Sequence, residues 1–269
     1  MEGLGNDYIY IDAIHQHFPV HTCLIQMLSD RHFGIGSDGV ILILPSKSSD
    51  FKMRIFNRDG SEARMCGNGI RCVAKYCYEH HLTNKRQLHI ETIAGVYQTN
   101  LLFHHNTITS VRVDMGKPSL LIKDMPIHYA GDFIIHKAIS LLDTTYYITA
   151  VMIGTPHIVF FVDDISVNIQ QIADAFMKHE LYDQPINIEF VKVDDKDHIK
   201  MRVWERGSDE TLACGTGACA ALYACYMSGH AAPKGKVEML GGVLDVSYLY
   251  KHMHITGSAD TVFEGTIEI

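Results

Sequence analysis

The chain has 269 residues, which suits one large domain or two of about 130 residues each. It is 47% hydrophobic with a formal net charge of −8, enough for ordinary cores and the wrong sign for nucleic-acid binding by phosphate neutralisation. Seven cysteines without a disulfide pattern, no apolar stretch of about 18 residues and no basic-then-apolar leader lead us to expect a soluble cytoplasmic protein with free thiols and no membrane contact.

In chain order, residues 21–29 alternate with a helical period, and residues 51–56 follow with the two-residue period of a half-buried strand. Arg58-Asp59-Gly60 marks a turn, and a helix is expected over 67–81. Strands follow over 88–92 and 107–113, with turns at Ala94-Gly95 and at His104-His105 before Asn106. Met115-Gly116-Lys117-Pro118 interrupts the strand pattern and marks a domain boundary. The second half repeats the theme: a strand over 146–152, an amphipathic helix over 168–179, a strand over 198–205, and a helix over 215–228 stopped by Gly229. A turn at Gly241-Gly242 and a last strand over 261–269 complete the series. The strands read as antiparallel hairpins, not βαβ repeats. The 17 histidines are scattered without zinc-site spacing.

Two stretches near the starts of the expected 67–81 and 215–228 helices are close copies. Glu62-Ala63-Arg64-Met65-Cys66-Gly67-Asn68-Gly69 and Glu210-Thr211-Leu212-Ala213-Cys214-Gly215-Thr216-Gly217 each place a Glu four residues before a Cys, then Gly-X-Gly. Cys66 and Cys214 lie 148 residues apart, about half the chain, so a whole domain is duplicated. A thiol at a helix N-terminus is drawn toward thiolate by free N–H groups and the helix dipole. That effect lowers a thiol by at most about 1.5 pH units from a reference value near 8.5, so each cysteine is expected near neutrality, able to act as base or acid. One thiolate and one thiol flanking a carbon are what a cofactor-free racemase or epimerase needs. The N–H groups and glycines at the two helix starts can hold the carboxylate that gathers charge as the α-proton leaves. A single copy would read as a buried helix start with an inert thiol; two matched copies favour a site. Asn57 at a strand end also fits a turn residue, Glu205 and Arg206 also fit an exposed strand edge, and a lone His157 is more often structural than catalytic.

Together these stretches resemble the diaminopimelate epimerase family over nearly the whole chain. The resemblance is carried by Gly3-Leu4-Gly5-Asn6-Asp7, Gly34-Ile35-Gly36-Ser37-Asp38-Gly39, Asn57 through Cys72, Glu205 through Ala220, Gly241-Gly242 and Phe263-Glu264-Gly265. It implies an α/β (α+β) fold of two pseudo-symmetric domains, each a curved, mostly antiparallel sheet or barrel around a central helix. It places the domains at 1–116 and 117–257, with the terminal strand 258–269 returning to the first. It implies interconversion of LL- and meso-diaminopimelate, in lysine and peptidoglycan precursor synthesis, by a homodimer without pyridoxal phosphate, other cofactor or metal.

By position, Cys66 and Cys214 would be the acid/base thiols, and Gly67, Asn68, Gly215 and Thr216 would hold the reacting carboxylate. Asn6, Asn57, Asn187, Glu205 and Arg206 would contact substrate, with the Arg206 fork suited to the distal carboxylate. His157 and Glu205 would tune the thiols or hold the reacting ammonium. The chain departs from the commonest family pattern at Gly39, where many members have Gln, and at Thr155, where many have Asn; the Thr155 hydroxyl can still hydrogen-bond to substrate. Two other functions stay open on the residues alone: a cofactor-independent racemase of another amino acid, and a non-catalytic protein that keeps the carboxylate-holding helices.

Overall fold

The computed structural model describes residues 1–182, 184 and 186–268. The chain forms two compact units, Met1–Asp114 with Thr256–Ile269, and Met115–Ile255.

The first unit runs β1 (Glu2–Gly3), β2 (Asn6–Asp7), β3 (Ile9–Asp12), α1 (Thr22–Ser29), β4 (Gly39–Leu44), β5 (Phe51–Asn57), β6 (Glu62–Ala63), α2 (Gly67–Glu79), β7 (Gln87–Thr92), β8 (Gly95–His104) and β9 (Thr107–Gly116). The second runs β10 (Lys137–Leu141), β11 (Thr144–Ile153), β12 (Thr155–Phe161), α3 (Ile169–Phe176), β13 (Asn187–Asp195), β14 (His198–Glu205), β15 (Asp209–Thr211), α4 (Gly215–Met227), β16 (Lys234–Met239), β17 (Gly242–Leu249) and β18 (His252–Gly257). Strands neighbour one another in the order β3-β4-β5-β7-β8-β9 in the first and β10-β11-β12-β13-β14-β16-β17-β18 in the second. From β3 to β9 and from β12 to β18 the two units share one succession: strand, helix, two strands, a two- or three-residue strand, the Cys-led helix, three strands.

Sequence periodicity misses one feature of this topology. Each of the four α-helices among the described residues lies in the connection between two parallel strands: β3 with β4, β5 with β7, β12 with β13, and β14 with β16. The pairs β4–β5, β7–β8, β8–β9, β10–β11, β11–β12, β13–β14 and β16–β17 are antiparallel. Period-two alternation reports a half-buried surface and says nothing about a neighbour's direction. The unbroken apolar run Val40-Ile41-Leu42-Ile43, buried on both faces, is what a parallel crossover produces.

The core explains the helices. Ile25 and Leu28 of α1 pack on Val40, Leu42 and Phe56. Ile169, Ile172, Ala173 and Phe176 of α3 pack on Phe160 and Phe190, with the Phe160 and Phe176 rings edge to face at 5.4 Å. Helix α4 is apolar around its whole circumference, and residues 217–225 are all buried. A helix of that kind has no solvent face, so it is the centre of its unit, packed against β11 to β14, β16 and β17. Helix α2 keeps Lys75, Tyr76 and Tyr78 partly exposed and packs against β1, β2, β7 and β8. Three hairpins close on two left-handed residues, His105-Asn106, Leu142-Asp143 and Tyr250-Lys251, the turn whose twist matches paired strands.

The strand expected over 261–269 is not formed. Residues 261–268 carry no strand and are exposed throughout, and Ile269 lies outside the described residues. The segment is tied just before this, by a reciprocal backbone pair between Glu2 and Asp260 at 2.8 Å. Alternation in a sequence cannot supply a neighbouring edge, and without one the backbone has nothing to pair with.

Candidate active site

Each cysteine is the N-cap of its helix. Cys66 has φ −138°, ψ 118° and Cys214 has φ −130°, ψ 115°. In both, the sulfur accepts the N–H three residues on, Gly69 to Cys66 Sγ and Gly217 to Cys214 Sγ, each at 3.3 Å. Sulfur thus takes the capping role usually given to a Ser or Asp oxygen. The glycines at 69 and 217 both lie in close approach to a neighbour. A Cβ on Gly69 would lie 2.6 Å from Ile41 Cδ1, and one on Gly217 would lie 2.8 Å from Glu189 Oε1.

The glutamate four residues before each cysteine has a shared partner that the sequence motif does not show. Arg54 reaches Glu62 through Nε and Nη2 at 2.7 and 2.9 Å; Arg202 reaches Glu210 through the same two nitrogens at 2.6 and 2.9 Å. The fork ties the strand leading into each cysteine loop to the loop itself. Arg202 also donates to the carbonyls of Ile165 and Val167, at 3.1 and 3.0 Å.

Around Cys66 the partners are neutral amides backed by charge. Cys66 Sγ donates to Asn6 Oδ1 at 3.2 Å, and Asn6 Nδ2 donates to Asp38 Oδ2 at 2.8 Å. Asp38 in turn accepts from Arg31, which also forks onto Asp7. Asn68 is buried and accepts from Arg71 Nη1 at 3.0 Å. Asn57, the last residue of β5, donates from its side-chain amide to Ser61 Oγ at 3.0 Å and closes the turn.

Around Cys214 the partners are acidic. His157 and Glu189 are fully buried, with His157 Nδ1 2.7 Å from Glu189 Oε1. His157 Nε2 lies 3.0 Å from Thr155 Oγ1. Glu205 accepts a short hydrogen bond from the Thr211 hydroxyl, and Thr216 Oγ1 lies 3.4 Å from Cys214 Sγ. Asn187 Oδ1 accepts from the backbone N–H of Arg206 at 2.9 Å, which joins the start of β13 to the end of β14.

These surroundings change the electrostatics expected from the helix starts. Burial, then the carboxylates of Glu205 and Glu189, push the Cys214 thiol well above its ordinary value, although Thr216 and the Gly217 N–H pull the other way. Dipole attraction of about 0.3–2 kcal/mol does not offset that desolvation, so the near-neutrality expected from the helix start is not met at Cys214. Burial also raises Glu205, against the hydrogen bonds from Thr211 and Cys214.

A family model described as diaminopimelate epimerase matches residues 1–121 and 149–262. The chain belongs to the diaminopimelate epimerase family. It is 46% identical over 272 residues to the diaminopimelate epimerase of Methanococcus maripaludis, covering 100% of this chain and 98% of that one. The enzyme of that name from Agathobacter rectalis is 44% identical over 279 residues, with 100% and 98% covered. Among solved structures, a Bacillus anthracis phenazine biosynthesis protein of the PhzF family has a TM-score of 0.63 at 19% identity, covering 96% of this chain and 92% of that one. A probable proline racemase from Agrobacterium radiobacter K84 has a TM-score of 0.62 at 16% identity, covering 86% and 76%. At those identities the likeness concerns the fold, and this family member shares its mixed α/β architecture with both. It is an isomerase of the epimerase class.

Several residues around the two cysteines show nothing of their role in the local motifs. Glu189 is the clearest: a glutamate inside the apolar run Ile188-Glu189-Phe190-Val191, where a charge with no partner in view is itself the clue. Arg54, Arg202, Asp38 and Thr211 are invisible because their partners are set by strand register. Gly39 opens β4 where a Cβ would lie 2.0 Å from the Phe56 carbonyl oxygen, at φ +153°, so no side chain fits there in this chain.

Proposed function

We propose that the chain interconverts LL- and meso-diaminopimelate without a cofactor or metal, with Cys66 and Cys214 as its acid/base pair. The observation that carries this is the duplication of one thiol geometry: two N-cap cysteines with matching backbone angles and the same N–H to sulfur bond, in a member of this family. In each turnover one thiolate takes the α-proton and becomes a thiol. The electron pair left on carbon spreads into the adjacent carboxylate, and the other thiol delivers its proton to the opposite face and becomes a thiolate. N–H groups at Gly67, Asn68, Gly215 and Thr216 are proposed to hold that carboxylate, where donors aimed at developing charge lower the barrier most.

Glu205 and His157 are proposed to orient the reacting ammonium, and Asn6, Asn57, Thr155, Asn187 and Arg206 to hold the rest of the substrate. A site built on such polar groups discriminates strongly against a substrate lacking the distal amino-acid head, which would leave them unpaired. Action as a cytoplasmic homodimer in lysine and peptidoglycan precursor synthesis belongs to the same proposal; seven cysteines, none in a disulfide, support a reducing compartment.

The test is incubation of purified chain with LL-diaminopimelate in D₂O, following label at the α-carbon and formation of the meso isomer. Cys66→Ala and Cys214→Ala are each expected to lower epimerisation by at least about 10³-fold, the upper part of the range for losing a general acid or base. Full turnover by either variant would refute the two-thiol assignment. Turnover of another amino acid in preference would refute the substrate.

A further inference from the structure

Around the thiols the two halves follow one pattern at a spacing of 148, and two fully buried charges stand in one half without a charged counterpart in the other. Arg71 lies five residues after Cys66, and the residue five after Cys214 is Cys219. Glu189 packs on Gly217 beside Cys214, and the residue that packs in the same way on Gly69 beside Cys66 is Ile41. Arg71 and Glu189 are each 0% exposed. Each therefore places a full charge on one thiol's side and leaves an uncharged residue at the matching place on the other.

Arg71 is held back toward the start of α2. Its Nη1 donates to Gly67 O at 3.1 Å and Asn68 Oδ1 at 3.0 Å, and its Nε donates to Ser258 O at 3.0 Å. Among the described residues its Nη2 has no hydrogen-bond partner. Arginine does not lose its proton in a protein, so this is a fixed positive charge behind the Cys66 turn. The titratable groups around it are Cys66, Cys72 on α2, Tyr10 on β3 and Glu2 on β1. Glu189 is the opposite case. One of its oxygens faces His157, the other has no hydrogen-bond partner among the described residues, and the groups around it are His157 from β12, Glu205 from β14 and Cys214.

We propose that Arg71 and Glu189 are positioning residues that make the two thiols inequivalent at rest, with Cys66 the thiolate that accepts the first proton and Cys214 the thiol that donates. A neighbouring cation favours the charged form of a thiol and a neighbouring carboxylate disfavours it, and low local dielectric strengthens both effects. The neutral Asn6 acceptor on Cys66 favours the thiol, but a neutral hydrogen bond is the weaker influence beside a buried full charge. The inference rests on the two-thiol reading above. It adds a polarity: an isomer that offers its α-hydrogen to Cys66 meets a base already formed, and the reverse reaction must first move a proton from Cys214 to Cys66.

The test is a pH titration of thiolate absorbance near 240 nm on the full chain, comparing wild type with Cys66→Ser and with Cys214→Ser, so that each lost step belongs to one sulfur. Cys66 is expected to ionise at least about one pH unit below Cys214. Glu189→Gln, which keeps the shape and removes the charge, is expected to lower the Cys214 step by about one pH unit and to leave the Cys66 step in place. Equal midpoints in wild type, or a Cys214 midpoint below that of Cys66, overturn the proposal even if the Gln variant does not fold. An unmoved Cys214 step in a folded Gln variant overturns the role of Glu189. Thiols that titrate apart in a chain that exchanges no deuterium into diaminopimelate would defeat the functional reading and leave the polarity standing.

Discussion

Replacement of Gly217 by alanine separates the two cysteine helices. On helix propensity alone, Gly→Ala inside a helix gains about 1 kcal/mol, and this holds equally for Gly69→Ala. The surroundings then divide them. The new methyl at position 217 would sit 2.8 Å from Glu189 Oε1, 3.2 Å from Cys214 Cβ and 3.3 Å from its sulfur. Glu189 is fully buried and bound to His157 at 2.7 Å, so it cannot step aside without giving up that bond. Overpacking strain or a lost charge-assisted bond costs about 2–3 kcal/mol, leaving Gly217→Ala destabilised by about 1–2 kcal/mol. At position 69 the obstacle is Ile41 Cδ1 at 2.6 Å, the far end of a side chain that can shift its rotamer for about 1 kcal/mol, so Gly69→Ala is near neutral. For a chain of this length the difference is about 2–8 °C in Tm, read by calorimetry on both variants at one pH. Gly217→Ala equal to or more stable than Gly69→Ala would show that the His157–Glu189 pair does not pin the start of α4.

Two further outcomes follow from the same contacts. Arg202→Met should cost about 2–3 kcal/mol, because Arg202 is 22% exposed and holds two loop carbonyls besides Glu210; Arg54→Met, at 34% exposure with Glu62 and the face of the Phe56 ring as partners, should cost about 1 kcal/mol in urea unfolding. Glu205 titrates with its folded value raised by burial, so the folded state binds its proton more tightly than the unfolded state does. Its contribution is therefore present below the unfolded carboxylate value and is lost as pH rises through the folded one. Glu205→Gln should remove that fall, leaving the variant relatively more stable at neutral pH than at pH 4 while epimerisation drops; a parallel pair of stability–pH curves would contradict the burial argument.

Much of the fold is legible locally. The four helices fall where their periodicity and caps put them: Thr22–Ser29, Gly67–Glu79, Ile169–Phe176 and Gly215–Met227, with Gly229 left-handed after the last. These features depend on neighbours a few residues away, so a local pattern carries them. The four parallel pairings and the absence of a strand over 261–268 depend on which edges meet across many residues, and alternation carries no such information.

The repeated cysteine motif, its spacing and its helix starts belong to the sequence, since an N-cap sulfur and a following Gly-X-Gly are enough to build each turn. Only tertiary structure decided what lies behind those turns. Strand register sets Glu189 under one helix start and Ile41 under the other, folds Arg71 back inside the first unit, and closes the matching Arg54–Glu62 and Arg202–Glu210 forks. A thiol's charge state is settled by desolvation and by charges close to it in space, and those neighbours are brought together by pairing between strands, not by adjacency along the chain.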